Sequence, residues 1–125
     1  MAYKLALEPD LIRLELFGKY TSEDVSAYMA EIEAIDAKSL RVLDRLVDAT
    51  RVDEYAVEVS DFMALAKRRA TLDLPNAYKV ALVAPRPTGV GFARMYQMLS
   101  SNPKVLVEIF GTEAEAMRWL RGTGP

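Results

Sequence analysis

Carboxylates are the side chains best equipped for chemistry in this sequence, because the two most versatile catalytic residue types are missing. The chain contains no Cys and no His. That removes the thiolate nucleophile, the disulfide and the cysteine metal site, together with the commonest general base and metal ligand. Acid–base work or a hard metal would fall to Asp48, Asp53, Glu54 and Asp61, which could act together only if folding gathered them on one edge. Held apart they are exposed loop carboxylates. A second candidate is Arg86 followed by Thr88-Gly89-Val90-Gly91: a helix starting there would aim free N–H groups and a cation at an anion. Because a full glycine-rich phosphate fingerprint is absent, the same residues also read as a helix start whose glycines allow close packing. Ser60-Asp61 can cap a helix or face a partner. Lys67-Arg68-Arg69 suits the last turn of a helix, where cations complement the dipole, or an anionic-ligand patch.

These residues are positioned by elements that the hydropathy pattern marks out. Tyr3, Leu5 and Leu7 alternate with polar or small residues, as do Ile12, Leu14 and Leu16, and Pro9-Asp10 lies between them; the spacing predicts an antiparallel hairpin at a sheet edge. Thr21 and Asp24 form a capping box for a helix whose stripe is Val25, Tyr28, Met29, Ile32 and Ile35, with Glu23, Glu31 and Glu33 on its wet face. A third strand is expected over residues 43–49. Val52, Tyr55, Ala56, Val59, Met63, Ala66 and Ala70 then keep a helical beat, but Ser60-Asp61 favours a loop through about Val57 and a helix from Ser60 to about Leu72. Tyr78-Lys79-Val80-Ala81-Leu82-Val83-Ala84 ends in an apolar run with no wet face, as a central strand would. Pro85-Arg86-Pro87 stops it, and the next helix has the stripe Phe92, Met95, Tyr96 and Leu99. A last strand covers Val105–Phe110, Thr112 to Glu115 reads as a second capping box, and Ala116, Met117 and Leu120 line a helix that Gly122 terminates. The Met and aromatic residues of the helices, Phe62 and Met63 among them, fit core stripes or the walls of an apolar pocket. Trp119 lies beside its helix stripe, at a core edge or a partner surface.

The order ββαβαβαβα predicts an α/β domain with a mixed five-stranded sheet, in which an N-terminal antiparallel hairpin joins parallel strands, and four helices. One domain spans residues 1–125. A net charge of −2 gives no general attraction to nucleic acid. No apolar stretch is long enough to cross a membrane, and the first eight residues lack the basic-then-apolar pattern of a signal peptide, so the cytosol is the default compartment. Ligands of such sheets sit beyond the carboxyl ends of the parallel strands, where Asp48 to Thr50, Ala84 to Gly91 and Gly111-Thr112 converge. The expected partner- or ligand-binding residues are therefore Thr50, Ser60, Asp61, Arg86, Thr88, Gly89 and Gly91, with no catalytic residue, metal or cofactor.

The element order across essentially the whole chain resembles the STAS fold of sulfate-transporter and anti-sigma-factor-antagonist domains. Gly91-Phe92-Ala93-Arg94-Met95-Tyr96, with Val107-Glu108-Ile109-Phe110 and Ala116-Met117-Arg118-Trp119-Leu120, is similar to a SpoIIAA-like branch of small bacterial proteins, for which a relation to Sec14-type lipid-binding domains has been suggested. The resemblance implies a non-enzymatic regulatory or interaction module that binds a protein partner through the loop and helix after the third strand. The second implication is a carrier or sensor of a small apolar or lipid-like ligand. The antagonists are switched by phosphorylation of a Ser in an Asp-Ser pair; Ser60 stands near that place, but Val59 precedes it, so the pair is absent. A carboxylate-dependent enzyme is a third reading, and a homodimer using Phe17 on a less covered sheet face is a separate expectation.

Overall fold

The computed structural model describes residues 2–122, apart from the side chains of Phe62 and Leu99, whose expected places in helix stripes lie outside the described residues. The described residues form β1 (Tyr3–Leu7), β2 (Leu11–Thr21), α1 (Ser22–Lys38), β3 (Asp44–Ala56), α2 (Val59–Ala70), β4 (Tyr78–Val83), α3 (Pro87–Leu99), β5 (Val105–Phe110) and α4 (Glu113–Arg121). The strands lie side by side in chain order, β1 antiparallel to β2 and every later pair parallel. This is the mixed α/β sheet that the sequence predicts, with one change of rank. The middle strand is β3, and β4 lies between β3 and β5. An apolar run reports that both faces of a strand are covered, which holds for any interior strand and so does not single out the middle one.

The larger correction concerns residues 50–56, which continue β3 instead of forming a loop. Pairing with β2 steps from Glu15↔Asp48 to Phe17↔Arg51, and again from Gly18↔Val52 to Lys19↔Glu54, so β3 carries an extra residue at each step. Each bulge shifts the alternation by one and keeps Arg45, Val47, Ala49, Val52 and Tyr55 on a single face. The resulting spacing of two, two, three and three imitates a helical beat, which is why the segment reads ambiguously. Gly18 sits between the two shifts at φ +61°, a left-handed conformation that favours glycine.

Local signals at the helix ends act largely as their residues dictate. At α1 the Thr21 hydroxyl accepts from the Asp24 N–H, and the Asp24 carboxylate accepts from the Thr21 N–H at 2.8 Å and from the Ala2 N–H at 2.9 Å, tying the chain start to the helix. Thr112 caps α4 by accepting from the Glu115 N–H at 3.3 Å, although Glu115 returns its bond to the Thr112 hydroxyl and not to the backbone. Gly122 ends α4 at φ +67°. The cap of α2 is Glu58, so Ser60 is a helical residue of the first turn and not the cap.

Helices cover the two faces of the sheet unequally. α4 packs Ala116 against Leu11, Leu46, Ala81 and Val83, with Phe110, Met117, Trp119 and Leu120 around them. Trp119 meets the Phe110 ring at 5.6 Å and covers this core's edge. On the other face Val25 of α1, Leu65 of α2 and Phe92 of α3 close over Leu14, Leu16 and Val52. The buried stripe of α2 is Leu65, Ala66 and Arg69, rotated from the expected one, so that Val59 and Met63 are exposed.

Candidate functional site

At the carboxyl ends of the parallel strands, β3 outruns its neighbour: β4 pairs with it only as far as Asp48, and β3 continues to Ala56. The overhang leaves a cleft of about 330 Å³ walled by Asp53, Glu54, Tyr55, Arg86, Thr88 and Gly89. Arg86 donates to the carbonyls of Thr50 and Val52 on the bare edge of β3. Its guanidinium thus satisfies backbone acceptors that β4 would otherwise pair. Thr50 is exposed, and its N–H is held by the Asp48 carboxylate at 2.9 Å. A Cβ on Gly89 would lie 2.8 Å from the Tyr55 hydroxyl oxygen, whereas one on Gly91 would meet nothing within 4 Å. Close packing therefore explains the first glycine and not the second.

Of the seven residues expected to bind, Arg86, Thr88 and Gly89 share this cleft and Thr50 joins them through Arg86. Ser60 is exposed and Asp61 half-buried in the first turn of α2, and neither walls the cleft. Gly91 is exposed on α3. Asp53 and Glu54 wall the cleft while Asp48 and Asp61 do not, and among the described residues no group of three acidic side chains is placed to hold a metal ion.

A second space opens inside the face covered by α1, α2 and α3. It is a partly open cavity of about 100 Å³ walled by Leu14, Leu16, Val47, Val80 and Leu82 from the sheet and by Val25, Ile32, Leu65, Phe92 and Ala93 from the helices. Tyr20, Tyr28, Tyr55, Tyr78 and Tyr96 also line it. Burial pushes the phenols of Tyr20, Tyr28, Tyr55 and Tyr96 up from their ordinary value, so they are neutral across the physiological range. Tyr3, beyond the cavity wall, is pushed up to about 12 by burial and by its hydrogen bond to Glu31.

The wall carries two charged side chains, Arg45 at the start of β3 and Arg69 near the end of α2. Both are buried, and they share one carboxylate: Arg45 Nη2 donates to Asp36 Oδ1 at 2.6 Å, and Arg69 Nη1 to Asp36 Oδ2 at 3.3 Å. Tyr78 lies against both, with the Arg45 guanidinium 4.4 Å from its ring centre and its hydroxyl accepting from Arg69. Nε and Nη1 of Arg45 are buried and have no hydrogen-bond partner among the described residues. Two cations and one anion leave an excess of positive charge at this end of an otherwise apolar space.

Sequence reasoning points to the carboxyl ends of the strands and does not single out Arg45 or Tyr78. A signal exists, because Arg45 has the parity of Val47 and Ala49 and so puts a cation on the inward face of its strand. Arg69, expected to complement the dipole of α2, does lie in the last turn of that helix, but it is buried.

No family model and no curated protein matches the sequence. Solved structures do. An uncharacterised Shewanella loihica protein of the DUF3478 family, described as having a SpoIIAA-like fold, superposes with a TM-score of 0.63 at 19% identity, over 95% of this chain and 92% of its own. The Bacillus cell fate determinant SpoIIAA, in its phosphorylated form, superposes with a TM-score of 0.59 at 18% identity, over 96% of this chain and 100% of its own. The chain therefore has a STAS-like, SpoIIAA-like α/β fold.

Proposed function

We propose that this chain is a non-enzymatic regulatory module that takes up a small, largely apolar ligand between its helices and its sheet. The observation that carries the reading is the cavity of about 100 Å³ on the α1–α3 face. Small-molecule sites are mostly apolar with a few placed polar groups, and this wall has that composition. The absence of Cys and His from the sequence supports binding over turnover. Native mass spectrometry of protein purified from cells should show a mass increment of one small molecule, lost in an Ala93→Leu variant that fills the space. A spectrum without an increment, together with no binder in a fragment screen, would overturn the reading.

A second reading, a protein-binding module, is favoured by a different observation. Val59 and Met63, a turn apart on α2, are each 53% exposed, with exposed Glu58 and Ser60 beside them. Large apolar side chains grouped on a helix face are what a partner would cover. We place Ser60 and Asp61 in this surface, and Thr50, Arg86, Thr88, Gly89 and Gly91 along the neighbouring edge. Affinity capture with wild-type protein and with Val59→Asp/Met63→Asp tests it: a prey lost in the double variant supports the reading, and identical sets of prey count against it. Self-association through β1 and the half-buried Phe17 belongs to the same reading and is decided by light scattering. Among the described residues no helix is long and apolar enough to cross a membrane, and we place the protein in the cytoplasm.

A further inference from the structure

The cavity under α1, α2 and α3 and the cleft beyond the strand ends are neighbours, and Ala49, Tyr55, Ala84 and Gly89 wall both. Burial along the inner face of the strands gives the direction in which the cavity opens. At one end Arg45, Tyr78 and Val80 are buried, whereas Val47, Ala49 and Leu82, further along β3 and β4, are only half-buried. The opening lies towards the carboxyl ends of the strands, where the cleft is. One ring stands between the two spaces. Tyr55 belongs to the overhang of β3, beyond the last residue that β4 pairs. Its ring stacks on Phe92 of α3 with 4.7 Å between centres, and its hydroxyl oxygen would lie 2.8 Å from a Cβ on Gly89. The side chain thus reaches from β3 to the start of α3 across the gap that β4 leaves. Phe92 walls the cavity and not the cleft, while Asp53, Glu54, Arg86 and Thr88 wall the cleft and not the cavity.

We propose that Tyr55 sets the length of the molecule that the cavity accepts: its ring is the partition that confines the ligand to a single small ring or a short apolar chain. The inference rests on the ligand reading above and adds the residue that determines its size. An apolar cavity of roughly 150 Å³ takes up benzene, so the space of about 100 Å³ here holds a body of about six carbons at most. The cleft beyond is larger, about 330 Å³, and the Tyr55 ring closes it to a chain lying in the cavity. Truncating a large side chain leaves a void, because the surroundings relax only in part. At Tyr55 that void joins the two spaces, and a longer chain can run from Phe92 out to Glu54 and Thr88.

The test is an amide-detected NMR titration of the full chain with 1-butanol, 1-hexanol, 1-octanol and 1-decanol. In wild type, affinity should rise about fourfold per methylene and then level off at about hexanol, with shifts at Val47, Val80 and Ala93 and none at Glu54 or Thr88. In Tyr55→Ala the rise should continue, so that decanol binds at least about tenfold more tightly than to wild type, and decanol should now shift Glu54 and Thr88. Should that variant not fold, Tyr55→Val, whose β-branched side chain suits a strand, makes the same comparison. Wild type alone also bears on the partition, since butanol or hexanol shifts at Glu54 and Thr88 would overturn it. Levelling at the same length in wild type and variant, or a wild-type rise unbroken to decanol, would overturn the role of Tyr55 and leave the ligand reading standing. Failure of all four alcohols to bind either protein would overturn both.

Discussion

The two faces of the sheet are built from the same strands and do different work. On the α4 face Leu46, Ala81, Val83 and Ala116 are each 0% exposed, and polar contacts, Lys79 with Trp119 and Arg13 with Glu113, lie around that apolar centre. On the other face three helices meet the sheet through tyrosines and two arginines and leave a cavity. Aliphatic side chains in staggered rotamers can be packed without voids, whereas long aromatic and charged ones meet at angles that leave space between them. The difference separates a face that stabilises the fold from a face that can admit something.

The sharpest way to break this comparison is Asp36→Ala, which leaves Arg45 and Arg69 buried with no carboxylate. It should cost about 3–5 kcal/mol by urea unfolding; a cost near zero would mean that the arginines do not depend on it. Leu46→Ala on the dry face should follow at about 3 kcal/mol. Additions then separate the faces by sign and size. Ala81→Leu should cost about 1–3 kcal/mol by overpacking, while Ala49→Leu, beside the cavity, should stay within about 1 kcal/mol of wild type. Similar losses for both would show that the space is not there to be filled.

The smallest effect lies outside both faces. Burial alone would push the Asp24 carboxyl up, but the N–H groups of Ala2 and Thr21 and the Thr21 hydroxyl outweigh it and hold the value below the usual carboxylate range. Asp24→Asn should cost about 1 kcal/mol at neutral pH. A lowered folded value stabilises above the unfolded value of about 3.9 and loses that contribution as pH falls through the folded value. The stability gap between wild type and Asp24→Asn should therefore be constant from pH 7 to about 5 and close towards pH 3. A gap that widened on acidification would contradict the assignment.

The architecture is legible in the sequence because its signals are local. Alternation in Tyr3 to Leu7, the Thr21–Asp24 box and the stop at Gly122 each depend on residues close in the chain, and each acts as its chemistry dictates. Residues 50–56 mislead because the register of β3 is set by β2, and two bulges in that pairing are invisible without the partner strand. The site is less legible for a similar reason. Arg45, Asp36, Arg69 and Tyr78 come from four separate elements, and no spacing in the chain announces their meeting. The rule that ligands lie beyond strand ends points to Arg86, whose guanidinium is engaged by β3 carbonyls. The spacing of Val59 and Met63 suits a core stripe, but the register of α2 turns them outward.

Xenon uptake followed by amide-detected NMR tests the unequal faces most directly, since the gas enters apolar cavities without any recognition chemistry. The account predicts saturable shifts at Val47, Val80, Leu82 and Ala93, and none at Leu46, Ala81 or Ala116. Shifts of equal size on both sides of the sheet, or none on either, would contradict it.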